Sequence, residues 1–299
     1  MNTGFIGLGK MGFNMVENLL DHQRKVVVFD LSVEAVEAAS EKGAIAAESP
    51  GILAGKLQHP RMIWIMVPAG KPVDSVLELI MPHLEPGDIL IDGGNSRYSD
   101  SERRAKQLEQ QGIFFLDAGT SGGLDGARHG ACIMVGGAKE AYDLVEPLLR
   151  DMCVENGYGY MGRSGSGHFV KMVHNGIEYG MMQAIGEGFD LLETSGYDLD
   201  PEVVAGVWAN GSVIRGWLME LAGQAFSKDR KLGYLKGDIA DSGEGRWTVE
   251  AALEQKVSIP VIAGALFRRY SSRAEENFSD KVVAALRHEF GGHGFKADQ

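Results

Sequence analysis

Phe5-Ile6-Gly7-Leu8-Gly9-Lys10-Met11-Gly12-Phe13 is an apolar strand end, a glycine turn and the start of a helix. Three glycines in six residues recur by chance in a chain holding 41 of them, so the spacing alone says little. Its context says more, because the turn follows a strand and opens the helix Met11–Leu20 at the head of a βαβ unit. Gly7 permits a tight turn, Gly9 lets a pyrophosphate approach the backbone, and Gly12 allows close helix–strand packing. Residues Gly7, Leu8, Gly9, Lys10, Met11 and Gly12 are therefore the expected phosphate cradle of a dinucleotide, fed by amide donors of the helix start. The next strand, Lys25–Asp30, ends on Asp30, where a carboxylate accepts hydrogen bonds from adenosine ribose hydroxyls and repels a 2′-phosphate. No arginine follows in Leu31-Ser32-Val33, so NAD is expected rather than NADP. The plainer role for Asp30 is to cap the helix that follows.

Outward from this unit the alternation continues. Apolar runs at Met62–Val67, Ile89–Asp92, Phe114–Asp117 and Ala131–Val135 read as strands. Between and after them, Val33–Lys42, Val73–Met81, the charged Ser101–Gln110 and Glu140–Leu149 read as helices. That rhythm predicts a doubly wound parallel α/β sheet of Rossmann type over residues 1–163. From Gly165 onward strand periodicity is lost. A long helix to about Thr194 is followed by helical patterns at Pro201–Trp208, Val213–Ala225, Val249–Gln255, Val261–Tyr270 and Asp280–Phe290. Residues 164–299 are expected to be an all-helical domain. The polar, glycine-rich stretch Ser227–Trp247 is either a functional loop or a surface excursion.

Composition narrows the function classes. The 299 residues are 44% hydrophobic, enough for a substantial core, and the length suggests two domains. A net charge of −12 argues against a nucleic-acid ligand, although a few local cations still suffice for a small anion. Cys132 and Cys153 have no metal-site or redox-motif spacing, and a reducing cytoplasm is expected. The N-terminus lacks signal-peptide character, and no apolar run reaches membrane-spanning length.

The chemistry concentrates in Lys171-Met-Val-His-Asn-Gly-Ile-Glu-Tyr-Gly180. On a helix, Lys171, His174, Asn175 and Glu178 fall at i, i+3, i+4 and i+7 and share a face, with Tyr179 at its margin. Such a stripe holds a base, an acid, an imidazole and an amide. Taken alone it also reads as a solvated Lys–Glu pair with a filler His-Asn. The flanking Gly162, Gly165 and Gly167 favour the first reading, since they let a ligand approach the helix start closely.

With these residues in place, the chain resembles the β-hydroxyacid dehydrogenases. Within them it resembles the decarboxylating 6-phosphogluconate dehydrogenases in their short, NAD-preferring form. Common to the superfamily are the glycine turn, Asp117-Ala-Gly-Thr-Ser-Gly-Gly123, and Lys171 with Asn175. More particular are Asp92-Gly-Gly-Asn-Ser96, His174 with Glu178 and Tyr179, Arg246-Trp247-Thr248, and the tail Arg287-His-Glu-Phe-Gly-Gly-His293. The resemblance implies that Val67, Pro68, Ala69 and Asn95 line the nicotinamide side. It implies that Asn95, Ser121, Gly122, Gly123, His174 and Asn175 hold the sugar acid. Tyr179, Arg269, Arg287 and His293 would bind its phosphate, the last two from a neighbouring subunit of a homodimer or homotetramer. The chain departs from the longer members where Ser242-Gly-Glu-Gly-Arg-Trp-Thr248 replaces Lys-Gly-Thr-Gly-Lys-Trp-Thr, losing a phosphate-binding lysine. Pro68 stands where lysine is frequent, in line with NAD, and the helical domain is about half as long.

The implied reaction is oxidative decarboxylation of 6-phosphogluconate to ribulose 5-phosphate in the pentose phosphate pathway. A lysine held out of water beside a positively charged nicotinamide is a competent base for the alcohol proton. Once protonated, Lys171 would hydrogen-bond the ketone and stabilise the enolate as carbon dioxide leaves, with no metal. Glu178 would protonate the enediol carbon, and Asn175 would orient both groups. A non-decarboxylating hydroxyisobutyrate-type dehydrogenase shares the fold and Lys171 but requires neither Glu178 nor the Arg287/His293 pair. A non-catalytic NAD-binding scaffold has no use for Lys171, Asn175 and Glu178 together.

Overall fold

The computed structural model describes residues 2–274 and 276–291. Strand β1 (Thr3–Ile6) runs through the glycine turn into α1 (Lys10–Asp21), and β2 (Val26–Phe29) into α2 (Val33–Glu41). A two-residue β3 (Ile45–Ala46) and a short α3 (Pro50–Gly55) precede β4 (Met62–Ile65) and α4 (Lys71–Ile80). Next come β5 (Ile89–Asp92), α5 (Tyr98–Glu109), β6 (Phe114–Ser121), α6 (Gly123–His129), β7 (Ala131–Gly136), α7 (Lys139–Met152) and β8 (Cys153–Gly162). The long α8 (Ser166–Glu193) is followed by α9 (Pro201–Ala209), α10 (Trp217–Lys228), α11 (Glu244–Gln255), α12 (Pro260–Ser272) and α13 (Phe278–Gly291).

The strands form one eight-stranded sheet in the order β3-β2-β1-β4-β5-β6-β7-β8. Period-two alternation sends successive residues to opposite faces, and both faces are buried. Val26, Val28, Trp64, Ile89 and Ile91 enter one apolar core with Met15, Leu19, Val145 and Leu149 from α1 and α7. Val27, Ile63, Ile65 and Leu90 enter the other with Leu53, Val73, Leu77 and Leu108 from α3, α4 and α5. This is the doubly wound α/β architecture expected from the alternation.

Pairing is parallel except between β6 and β7, which run antiparallel. The connection between them, residues 122–130, is too short for a parallel crossover, which takes a dozen residues or more. β6 continues past Asp117 to Ser121 because β7 pairs with that extension. Strand β8 was not expected from the sequence; Gly157, Gly159 and Gly162 interrupt any alternation there, and pairing with β7 makes the strand. Helix α11 starts at Glu244, and α10 at Trp217 rather than Val213, so the loop before α11 spans only 229–243.

The chain divides into two compact units, Met1–Asn175 and Gly176–Gln299, and the division falls inside α8. The second unit is helical. One apolar cluster joins Phe189, Ala205 and Met219 from α8, α9 and α10 with Trp208 and Phe226. Another joins Tyr179 with Ala265 and Leu266 of α12. Among the described residues, no helix is long and apolar enough to cross a membrane.

Candidate active site

Strand order reverses at β1, whose neighbours are β2 and β4, and ligands of doubly wound sheets bind outside the strand carboxyl ends at such a point. The glycine turn leaves β1 there and residues 66–70 leave β4 beside it; the Met66 amide donates to Ile6 O at 2.7 Å. Gly7 has φ +101°, and a Cβ on it would collide with the Met66 carbonyl, while one on Gly12 would collide with the Gly7 carbonyl. Around Gly9 the space is open, with nothing within 4 Å of a Cβ position. Helix α1 has no side-chain N-cap, so its first amides are available to an anion at that opening. Lys10 is exposed at the helix start, while Leu8 is buried and Met11 packs against the core.

Asp30 does more than its position suggested. Its Oδ2 accepts the Leu8 amide at 2.5 Å and its Oδ1 accepts the Ser32 amide at 2.8 Å. The carboxylate thus ties the glycine turn to the entry of α2, whose own cap is Ser32, accepting from the Ala35 amide at 3.2 Å. Further along the same sheet edge, Val67 is half-buried, and Pro68, Ala69 and Asn95 are exposed. Asn95 follows β5, where Asp92 Oδ1 accepts the Gly94 amide at 3.1 Å and Ser96 Oγ donates to Asp92 Oδ2 at 2.7 Å. Gly122 and Gly123 make the turn from β6 into α6, both at positive φ.

Lys171 is seated against β6. A Cβ on Gly119 would collide with the Lys171 side chain, so glycine there lets the lysine stem lie flat on the strand. The helix start is fixed from the sheet. The fully buried Asp117 accepts the Gly165 amide at 2.7 Å through Oδ1 and the His168 amide at 2.8 Å through Oδ2. A strand carboxylate therefore caps α8 across some fifty positions of sequence, and it complements the helix dipole. One turn on, Lys171 is 6% exposed and its Nζ donates to Asn175 Oδ1 at 2.7 Å. His174 Nδ1 lies 3.0 Å from the same oxygen, and its Nε2 lies 3.2 Å from Ser121 Oγ. One proton arrangement fits these three contacts: Ser121 donates to Nε2, Nδ1–H donates to Asn175, and Lys171 donates to Asn175. A chain of hydrogen bonds thus links the end of β6 to the lysine.

Glu178 and Tyr179 follow on α8 in the second unit, Glu178 half-buried and Tyr179 6% exposed. The Arg269 guanidinium carbon sits 3.6 Å above the Tyr179 ring centroid, and a Cβ on Gly245 would meet the same ring. Arg269 Nη1 donates to Ala240 O at 2.7 Å. The phenol donates to Asp241 Oδ1 at 3.2 Å and lies 3.4 Å from Ser242 Oγ, which donates to the buried Glu244 at 2.5 Å. Burial pushes the Tyr179 phenol above its usual range. The pair expected to hold phosphate is thus together, with Asp241 on the tyrosine hydroxyl. Arg287 is exposed on α13, and His293 lies outside the described residues.

Sequence reasoning did not find Asp117 as a cap, Asp241 as a tyrosine partner, or the buried Arg104 of α5. Asp117 lies far in sequence from the amides it caps, and Arg104 sits in a stretch that reads as charged surface.

Residues 2–169 match the NAD binding domain of 6-phosphogluconate dehydrogenase, and residues 167–290 match that enzyme's C-terminal domain. A Bacillus subtilis (strain 168) protein provisionally named a 6-phosphogluconate dehydrogenase is 54% identical over 293 residues, with 98% of each chain covered. The NAD(+)-dependent, decarboxylating 6-phosphogluconate dehydrogenase of Haloferax volcanii is 48% identical over 295 residues, again with 98% of each covered. The solved Plasmodium falciparum 6-phosphogluconate dehydrogenase superposes with a TM-score of 0.85 at 31% identity, covering 100% of this chain and 66% of the longer one. A 3-hydroxyisobutyrate dehydrogenase of Mycobacterium tuberculosis shares the fold, with a TM-score of 0.74 at 22% identity. Matched over both units and, by its nearer relatives, over almost its whole length, this chain belongs to the 6-phosphogluconate dehydrogenase family.

Proposed function

We propose that this protein oxidises and decarboxylates 6-phospho-D-gluconate to D-ribulose 5-phosphate and carbon dioxide, with NAD as acceptor. The observation that carries the reading is the buried Lys171, held between Gly119 and Asn175 on a helix capped by Asp117. A lysine this enclosed has no surface role, and it belongs to the same unit as the glycine turn and the Ser121–Gly123 turn. NAD, when bound along that edge, supplies the hydride acceptor; Gly9 leaves room for its pyrophosphate and Asp30 disfavours a 2′-phosphate. Lys171 Nζ takes the proton of the substrate's secondary alcohol and then donates to the new ketone oxygen as the carboxylate leaves. The Asn175 amide oxygen orients that ammonium, and Ser121 orients His174 toward the substrate. Glu178 donates the proton that converts the enediol to the ketopentose. Tyr179 and Arg269 take the phosphate, helped by Arg287 and His293 from a second copy in a homodimer or homotetramer. The two cysteines are unpaired, which suits a cytoplasmic enzyme.

The test is NADH formation, followed by absorbance, with 6-phosphogluconate and NAD, repeated with gluconate and with NADP. Turnover should be fastest with the phosphorylated acid and NAD. No NADH from either acid would leave a scaffold role, and equal rates with NAD and NADP would refute the Asp30 argument.

A further inference from the structure

Arg104 is fully buried, on a helix whose sequence, Ser101-Glu-Arg-Arg-Ala-Lys, looks like solvated surface. Burying a guanidinium is costly unless each edge finds an acceptor, and here every edge does. Nε donates to Asp74 Oδ1 at 2.9 Å, and Nη2 donates to Gly70 O at 3.0 Å. Nη1 reaches both Asp92 Oδ2 and Ser96 Oγ at 3.4 Å. Gly70 ends the loop after β4 and Asp74 lies in the first turn of α4 that follows it, while Asp92 and Ser96 bracket the loop after β5. One rigid planar group therefore ties the segment after β4 to the segment after β5. The Arg104 guanidinium also holds the Asp74 carboxyl below its usual range. Between the clamped points, the first loop presents Val67, Pro68 and Ala69, and the second presents Asn95.

We propose that Arg104 is a positioning residue for the nicotinamide half of the cofactor, setting the gap between the 66–70 and 93–97 loops while touching no ligand. The inference rests on the reading that those loops line the nicotinamide. It is separable from the glycine turn and Asp30, which serve the other half of the dinucleotide and make no bond to Arg104 among the described contacts.

Two probes divide the cofactor accordingly: NADH, and ADP-ribose, which lacks the nicotinamide. Calorimetric titration of Arg104→Lys, which keeps the charge but cannot span both loops, should show NADH binding weakened about tenfold with ADP-ribose unchanged. Asp74→Asn is a milder variant at a half-exposed partner that leaves the core intact, and it should shift NADH alone, by about two- to threefold. Equal weakening of both probes would make Arg104 a general support of the sheet and overturn the proposal. So would NADH binding unchanged in both variants. If the wild type binds NADH no tighter than ADP-ribose, the nicotinamide reading of the loops fails, and the proposal falls with it.

Discussion

Lys171 and Tyr179 lie about two turns apart on one helix, yet they are held in opposite ways. Lys171 is held by backbone and sheet, through a glycine strand against its stem, a buried carboxylate capping its helix and an amide on its Nζ. Each support comes from the sheet or from the helix that carries the lysine. Tyr179 is held by side chains and a loop, with a guanidinium stacked on its face and a carboxylate and a hydroxyl from residues 241–242 at its oxygen. On the proposed roles, the chemical step and the anchoring of the substrate's far end answer to different rules. A group that moves a proton needs fixed geometry, whereas a group that grips a phosphate can exchange one partner for another when the ligand arrives.

That contrast is open to breakage, beginning with its strongest term. Lys171→Met keeps length and helix propensity but removes the base and the ketone donor, so turnover should fall about a hundredfold or more. NADH affinity, read by fluorescence titration, should stay near wild type. A Lys171→Met enzyme with near-normal turnover would end the base assignment.

Gly119→Ala attacks the same residue from the strand. Its added methyl would push the lysine stem off the strand, with an expected loss of about tenfold or more in kcat and about 1–3 kcal/mol in stability. The substrate KM should change less than kcat. If KM rises and kcat holds, the rigid seat of Lys171 is not what catalysis depends on.

Asp241→Asn examines the other side. Removing a negative charge from the Tyr179 hydroxyl should lower KM for 6-phosphogluconate roughly two- to fivefold and leave kcat alone. An unchanged KM for the phosphorylated acid would mean that phosphate does not reach this tyrosine.

The smallest effect on activity is expected at the amino-terminal end of the strands, where Asp88 precedes β5. Burial pushes the Asp88 carboxyl up, but the amides of Glu85 and Arg61 and the Arg61 guanidinium outweigh this and carry it below the usual aspartate range. A depressed folded-state value means that its stabilisation is present above the ordinary aspartate value of about 3.9 and is lost as pH falls through the folded value. Asp88→Asn should therefore lower Tm at neutral pH and flatten its acid dependence, with kcat and KM untouched. A kinetic effect would show that the two ends of the strands are not independent.

What the sequence revealed of this molecule follows the same division. The glycine turn, Asp30 and the strand ends were legible because a parallel sheet with both faces covered imposes continuous apolar runs, and a phosphate turn imposes glycine spacing. The helical face of Lys171, His174 and Asn175 was legible from periodicity. Asp117 as a cap was not, because its partners are some fifty residues away and pairing of that kind leaves no local pattern. Arg104 was hidden by charged neighbours that face water. In residues 241–244 the missing lysine is plain in the sequence, whereas the partners of Asp241 and Glu244 depend on the fold. Strand β8 was invisible because its glycines break alternation and only its partner makes it a strand.

On the proposed function, alcohol oxidation and carbon dioxide release are coupled on this chain. The direct measurement uses 6-phosphogluconate labelled at its carboxyl carbon, with NAD in excess, and counts NADH and labelled carbon dioxide over the same turnovers. One carbon dioxide is expected for each NADH in the wild type, and neither from Lys171→Met. NADH accumulating without carbon dioxide would contradict it and mark the protein as a non-decarboxylating hydroxyacid dehydrogenase.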